Sequence, residues 1–150
     1  MRRPRGFARF VGGQGFHCLY LVTTEDDALV KIGIAADAMD RLSTLCSANA
    51  VELHLHRHWW LAGKLISQRI KKSFAQTFRS QHIQGDWFSV SLPEAEAFIE
   101  RTIHQIGTWS ATEAEMVAEM QRREHQRMER ILPHDQVCGG HYGTAAGEAA

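Results

Sequence analysis

Two β-rich runs near the amino terminus restrict the fold of this chain more than any other feature of its sequence. They are FHCLYLV, residues 16–22, and ALVKIGI, residues 28–34, and the polar pentapeptide TTEDD joins them. Five residues suffice for a hairpin connection but are too few for the crossover that parallel neighbours need. The sequence therefore predicts two antiparallel strands at the start of a sheet.

A third strand is predicted from the strict alternation of VELHLHRHWW, residues 51–60. The alternation puts Leu53 and Leu55 on one face and the histidines at positions 54, 56 and 58 on the other. Histidines on one strand face can share a metal ion, but successive ones lie about 7 Å apart, so the outer two are too distant to meet at one ion. We expect this face to be polar or to contact nucleic acid.

Three helical segments surround these strands. The first follows the second strand, in residues 37–46, and the second lies within residues 63–85, where an apolar residue recurs every four positions from Ile66 to Phe78. The third spans residues 91–107, between a serine capping box and a glycine stop. The predicted fold class is α+β, with a small three-stranded antiparallel sheet flanked by helices and a C-terminal helical extension.

Composition divides the chain into four parts. Residues 1–13, with four Arg and no acidic residue, are expected to form a basic, flexible arm ahead of the α+β domain, residues 14–107. Residues 108–132 form a charged helical extension, and residues 133–150 a Gly-rich tail that we expect to be disordered. The thin apolar stripe of residues 110–131 fits either a solvated extension or a helix that self-associates or binds a partner protein.

The sequence favours a cytoplasmic protein with no membrane partner. No run reaches the roughly 18 to 20 apolar residues that span a bilayer, and the Arg-rich start lacks the apolar segment of a secretory signal. The three cysteines are widely spaced and form no CxxC pair. This spacing argues against a disulfide framework and against a zinc ribbon.

Charge is sorted along a chain whose total is neutral. The sequence has 17 Lys and Arg and 17 Asp and Glu, yet residues 53–85 hold six cations and no acid. Such clustering can steer a polyanion to one surface, although a solvated helix face carries similar charge. The candidate nucleic-acid-binding residues are Arg57, Lys64, Arg69, Lys71, Lys72 and Arg79.

Short motifs in a fixed order accompany these elements on the first two strands, in the helix that follows them and after the basic segment. They are Leu19-Tyr20-Leu21, Lys31-Ile32-Gly33, Arg41 and Gly85-Asp86-Trp87-Phe88. Together they resemble the GIY-YIG nuclease superfamily, in the branch common in phage and mobile-element proteins. The resemblance extends from residue 15 to residue 106.

The resemblance implies a DNA-binding endonuclease that hydrolyses phosphodiester bonds with one divalent metal ion, Mg²⁺ or Mn²⁺. In such an enzyme Tyr20 acts at the attacking water and Arg41 neutralises phosphate charge. Lys31 stands where many relatives have a second tyrosine, and it would contact phosphate as a point charge. The candidate catalytic residues are therefore Tyr20, Arg41 and Lys31.

Ser67 is the position at which the resemblance fails. Alignment on Phe74 puts Ser67 where relatives have the glutamate that holds the metal, and Mg²⁺ normally takes anionic oxygens from a protein. Glu52 and Asp86 are the nearest acidic residues, and either could substitute if the fold brings it close, although Asp86 already belongs to the Gly-Asp-Trp-Phe motif. The metal ligands therefore stay unassigned. Three functions remain open: a metal-dependent endonuclease, a non-catalytic nucleic-acid-binding module, or an adaptor that binds proteins through residues 110–131.

Overall fold

A computed structural model describes residues 2–24, 28–48 and 52–131 of the chain. The predicted tail, residues 133–150, lies outside the described residues. In chain order the helices are α1 (Phe7–Gly13), α2 (Ala38–Ala48), α3 (Lys64–Thr77), α4 (Leu92–Ile106) and α5 (Glu113–Ile131). The strands are β1 (His17–Thr24), β2 (Val30–Ala35), β3 (Leu53–Leu61), β4 (His82–Gln84), β5 (Trp87–Phe88) and β6 (Ser110–Ala111).

The sheet has six strands, so the prediction of a small three-stranded sheet is wrong. Its order is β4-β5-β2-β1-β3-β6, and the neighbouring strands pair antiparallel. The three central strands are those predicted from the sequence, and β1 pairs with β2 as a hairpin requires. The three added strands have two or three residues each, which is too short to show a period of two in the sequence.

A β-bulge changes the faces that the residues of β3 occupy. Leu21 of β1 lies opposite Arg57, but the next residue, Val22, lies opposite Leu55. One residue of β3, His56, is therefore left over in the pairing. Side chains that follow the bulge point to the opposite face from the one that strict alternation predicts.

The bulge separates the histidines of β3. The Nε2 atom of His56 lies 3.0 Å from Glu96 of α4, whereas Nε2 of His58 lies 3.6 Å from Glu113 of α5. These helices pack on opposite faces of the sheet. The predicted row of three histidines on one face is therefore wrong, because the extra residue reverses the alternation.

The sheet separates two hydrophobic cores, because the side chains of a strand alternate between its faces. Leu19 and Leu21 of β1 pack with α3 and α4 on one face, which we call the α3 face. Tyr20, between them in sequence, packs with residues of α1, α2 and α5 on the other face, which we call the α2 face. Tyr20 therefore lies on the opposite side of the sheet from α3.

The amino-terminal segment, which the sequence led us to expect as a flexible arm, packs on the α2 face. Phe7 of α1 is buried and meets Trp60 edge-on, with ring centroids 5.9 Å apart. Arg3 forms ion pairs with Asp37, at 2.5 Å, and with Glu113. An apolar anchor and partly buried ion pairs hold this segment in place, and a count of its arginines predicts neither.

Helix α5 is anchored by its first half. Met116, Val117 and Met120 are buried in the α2-face core, whereas residues 121–131 are all exposed. The described part of the extension thus combines a packed base with a solvated end. Among the described helices, none is long and apolar enough to cross a membrane.

Candidate nucleic-acid interface

Tyr20 is held in place by the strands on both sides of it. It lies opposite Gly33 of β2 and His58 of β3, and it is 3% exposed. A Cβ atom added at Gly33 would lie 2.2 Å from Cζ of Tyr20 and 2.3 Å from its hydroxyl oxygen. The ring therefore occupies the space that any other residue at position 33 would fill.

Arg41 of α2 meets the hydroxyl group of Tyr20, to which its guanidinium donates a hydrogen bond. Burial raises the pKa of Tyr20, the nearby Arg41 acts in the opposite direction, and the charge of Asp86 adds to the rise. The Tyr20 hydroxyl is therefore protonated at neutral pH. It can donate a hydrogen bond to an anionic oxygen beside the guanidinium.

Asp37 fixes the start of the helix that carries Arg41. Its carboxylate accepts a hydrogen bond from the backbone N–H of Met39 at 3.0 Å, and its carbonyl accepts one from the N–H of Arg41 at 3.1 Å. Arg3 donates two more bonds to the carboxylate, at 2.5 and 2.9 Å. Burial acts to raise the pKa of Asp37, but Arg3 holds it below its usual value. The carboxylate of Asp37 thus stays ionised and anchors the start of α2.

Asp86 joins the two faces of the sheet at the edge of β2. Its backbone carbonyl accepts a hydrogen bond from the N–H of Ile32 at 3.1 Å. Its carboxylate oxygen Oδ2 lies 3.0 Å from Nζ of Lys71, on α3, and 4.0 Å from Nζ of Lys31, on β2. Lys31 also lies over the ring of Trp87, 5.7 Å from its centroid. The carboxylate of Asp86 therefore pairs with one lysine from β2 and one from α3.

A cavity of about 410 Å³ opens beside Asp86, against α3. Its charged and titratable lining residues are Lys71, Lys72, Arg79, His82 and Asp86. Three permanent cations face a single carboxylate there. A concave surface with this excess of positive charge suits a phosphate group.

Arg57, one of the candidate nucleic-acid-binding residues, does not line this cavity. It pairs with Glu96 and, at 2.6 Å, with Glu100, both on α4. Its guanidinium also stacks on Trp59, 4.9 Å from the ring centroid. Carboxylates from a distant part of the sequence thus balance its charge.

Two other candidate cations lie on α3 outside the cavity. Lys64 occupies the first position of the helix near His17, whose pKa is lowered by burial and further by the lysine. Arg69 is exposed, and the helical spacing puts it on nearly the opposite side of α3 from Lys71. The structure brings neither into the group around Asp86.

The described residues do not fit a divalent metal site. Ser67 is fully buried in the α3-face core, and its hydroxyl donates to the carbonyl of Gly63 at 3.1 Å. Asp86 is already paired with two ammonium groups. Within the described ranges, no three His, Cys, Asp or Glu side chains are grouped as a metal ion requires.

The sequence analysis named Asp86 as part of the Gly-Asp-Trp-Phe motif and as an acid near the missing metal ligand, but it missed the pairing of Asp86 with lysine. One signal pointed to it: Asp86 is the first acidic residue after the carboxylate-free stretch of residues 53–85. Its partner Lys71 lies within that stretch. The first acid after a long run of cations is a natural candidate for pairing with them.

Comparison with known proteins identifies the family. The model of the T5orf172 domain matches residues 15–103. No curated protein and no solved structure gives a significant match. T5orf172 is a different family from the GIY-YIG superfamily, so the assignment that we based on the short motifs was wrong. Because the match covers more than half of the chain, this protein belongs to the T5orf172 domain family.

Proposed function

We propose that this protein binds DNA by contacting a backbone phosphate with four side chains, which we call the phosphate cluster: Tyr20, Lys31, Arg41 and Lys71. The T5orf172 family is one of nuclease-like, DNA-binding domains, which is consistent with this role. The observation that carries the proposal is the position of Asp86, whose carboxylate pairs with Lys31 and Lys71 and whose charge also acts on Tyr20, the hydroxyl that Arg41 meets.

Each member of the phosphate cluster offers a donor that suits a phosphate oxygen. Arg41 presents a planar, permanently charged group, which can form two parallel hydrogen bonds to phosphate. Tyr20 contributes a protonated hydroxyl beside it, because burial raises its pKa. Lys31 and Lys71 supply point charges. Lys72 and Arg79 extend the positive surface along the cavity, where a neighbouring phosphate of the same strand can lie.

Replacing Arg41 with alanine tests this proposal. We expect Arg41→Ala to weaken binding of a DNA duplex about tenfold or more, because losing a charge-assisted hydrogen bond costs about 1.5–3 kcal/mol. The plot of log affinity against log salt should also become shallower by about 0.9, the value of one phosphate contact. Fluorescence anisotropy with a labelled duplex over a range of salt measures both quantities.

Arg130→Ala is the matched control. Arg130 lies at the exposed end of α5, so this substitution removes the same charge from another element. Its affinity should stay within about twofold of the wild type. Equal affinities for Arg41→Ala and Arg130→Ala would contradict the proposal. Thermal unfolding of both variants verifies that they are folded.

Phosphodiester hydrolysis is a second candidate, favoured by the hydrogen-bonded pair of Tyr20 and Arg41 in a nuclease-like domain. A divalent ion such as Mg²⁺ or Mn²⁺ commonly serves such reactions, but the described residues do not fit one, and we assign no step to it. Supercoiled plasmid incubated with either ion provides the test. Nicking that disappears in both Arg41→Ala and Tyr20→Phe supports hydrolysis, whereas an intact plasmid with the wild type contradicts it.

A further inference from the structure

The carboxylate of Asp86 has a positively charged partner, and the nearest one is the ammonium group of Lys71. The backbone of Asp86 is held beside β2, because its carbonyl accepts a hydrogen bond from the N–H of Ile32. Nζ of Lys71 lies 3.0 Å from Oδ2, within hydrogen-bonding distance, and Nζ of Lys31 lies 4.0 Å away. The two lysine side chains are half-buried, whereas the carboxylate of Asp86 is 40% exposed and open to an incoming ligand.

A divalent ion would meet repulsion at this position. Two cations, Lys31 and Lys71, pair with one carboxylate, so this group already carries a positive excess. Mg²⁺ is held in proteins by one or two carboxylates together with substrate phosphates. Here the single carboxylate is engaged, and an incoming ion would have to displace an ammonium group first.

We propose that the ammonium of Lys71 takes the place of a divalent cation at Asp86, so that the protein binds DNA phosphate with its side-chain cations alone. The inference rests on the proposed DNA binding and specifies how the phosphate charge is neutralised. An ammonium has three N–H donors. Lys71 therefore donates one hydrogen bond to Asp86 and directs another to the phosphate, which links the two anions as a metal ion does elsewhere.

The first test compares DNA binding in EDTA with binding in Mg²⁺ or Mn²⁺ at matched ionic strength. The wild-type affinity should agree within about twofold in all three buffers. A wild-type protein that binds DNA tenfold more tightly with either divalent ion overturns the inference but leaves the proposed DNA binding intact. A wild-type protein that binds no DNA in any buffer overturns the proposed function instead.

The second test removes the lysine and asks whether a metal ion replaces it. Lys71→Met keeps the apolar stem, and it should lower affinity about tenfold in EDTA. Because Asp86 is then freed from its nearest cation, Mn²⁺ should restore most of that loss. Adding Asp86→Asn to Lys71→Met should abolish the recovery.

Lys72→Met is the matched control for this rescue. Lys72 is the next residue on α3 and lines the same cavity, and within the described residues no ion pair joins it to Asp86. Its substitution should weaken DNA binding without any recovery in Mn²⁺. Equal recovery in the Lys71 and Lys72 variants, or none in the Lys71 variant, contradicts the inference.

Discussion

Replacing Ser67 with glutamate should lower the free energy of unfolding by about 3–5 kcal/mol, the usual consequence of leaving a charge buried without a partner. Ser67 is 0% exposed, and it shares the buried side of α3 with Ile70 and Phe74. Its hydroxyl is satisfied by the carbonyl of Gly63. A glutamate would place a carboxylate in the α3-face core, where no metal ion can reach it. Urea unfolding at neutral pH measures the loss.

Two variants of the same helix separate burial from charge. Gln68→Glu adds the same carboxylate at the next position, which is exposed, and should change stability by no more than about 0.5 kcal/mol. Ser67→Ala removes only the hydrogen bond to Gly63 and should cost about 1 kcal/mol or less. If Ser67→Glu is as stable as Gln68→Glu and nicks DNA with Mg²⁺, position 67 faces a metal site and our account of α3 is wrong.

The elements that could be predicted from the sequence are those with a long periodic signal or a complete cap. The hairpin of β1 and β2 and the buried side of α3 belong to the first kind. Helix α4 belongs to the second, because Ser91 accepts a hydrogen bond from the N–H of Glu94 and Gly107 ends the helix at φ 70°. These signals are local, so neighbouring residues alone establish them.

The remaining elements depend on contacts between distant residues. Strands β4, β5 and β6 are too short to carry a pattern and exist because a neighbouring strand offers free backbone groups. The bulge at His56 reverses the faces of β3 without any glycine or proline to mark it. Arg3 lies in a segment rich in arginine, and only its ion pairs to Asp37 and Glu113 show that it is anchored.

The residues of the candidate site differ in how far the sequence reveals their surroundings. Tyr20, Arg41 and Lys31 were chosen from motifs of a family that proved wrong; in the structure Arg41 meets the Tyr20 hydroxyl, and Lys31 lies 4.0 Å from Asp86. Asp86 was not chosen, because its pairing with Lys71 joins α3 to the residue before β5. Arg57 was chosen for its charge, which its carboxylate partners on α4 balance. Charge read along a sequence cannot include such partners.

Replacing Gly33 with alanine should lower the free energy of unfolding by about 3 kcal/mol, at the upper end of the cost of overpacking. The new methyl group would lie 2.2 Å from Cζ of Tyr20, a residue that is almost fully buried. The ring must shift, and its hydroxyl then leaves Arg41. We therefore expect Gly33→Ala to weaken DNA binding as well, which unfolding and anisotropy measurements check together.

A double-mutant cycle shows whether a clash with the Tyr20 ring causes the loss of stability in Gly33→Ala. In a Tyr20→Ala background the ring is absent, so Gly33→Ala should then cost little, and the coupling energy should reach about 1–3 kcal/mol. Gly12→Ala is the matched control, because a Cβ atom at this helical glycine meets nothing within 4 Å, and we expect no loss of stability or affinity. Additive costs at positions 20 and 33 would mean that Gly33 is needed for the strand itself. Coupled costs would mean that glycine is needed at position 33 because it leaves room for the Tyr20 ring to reach Arg41. Gly33 would then position a member of the phosphate cluster.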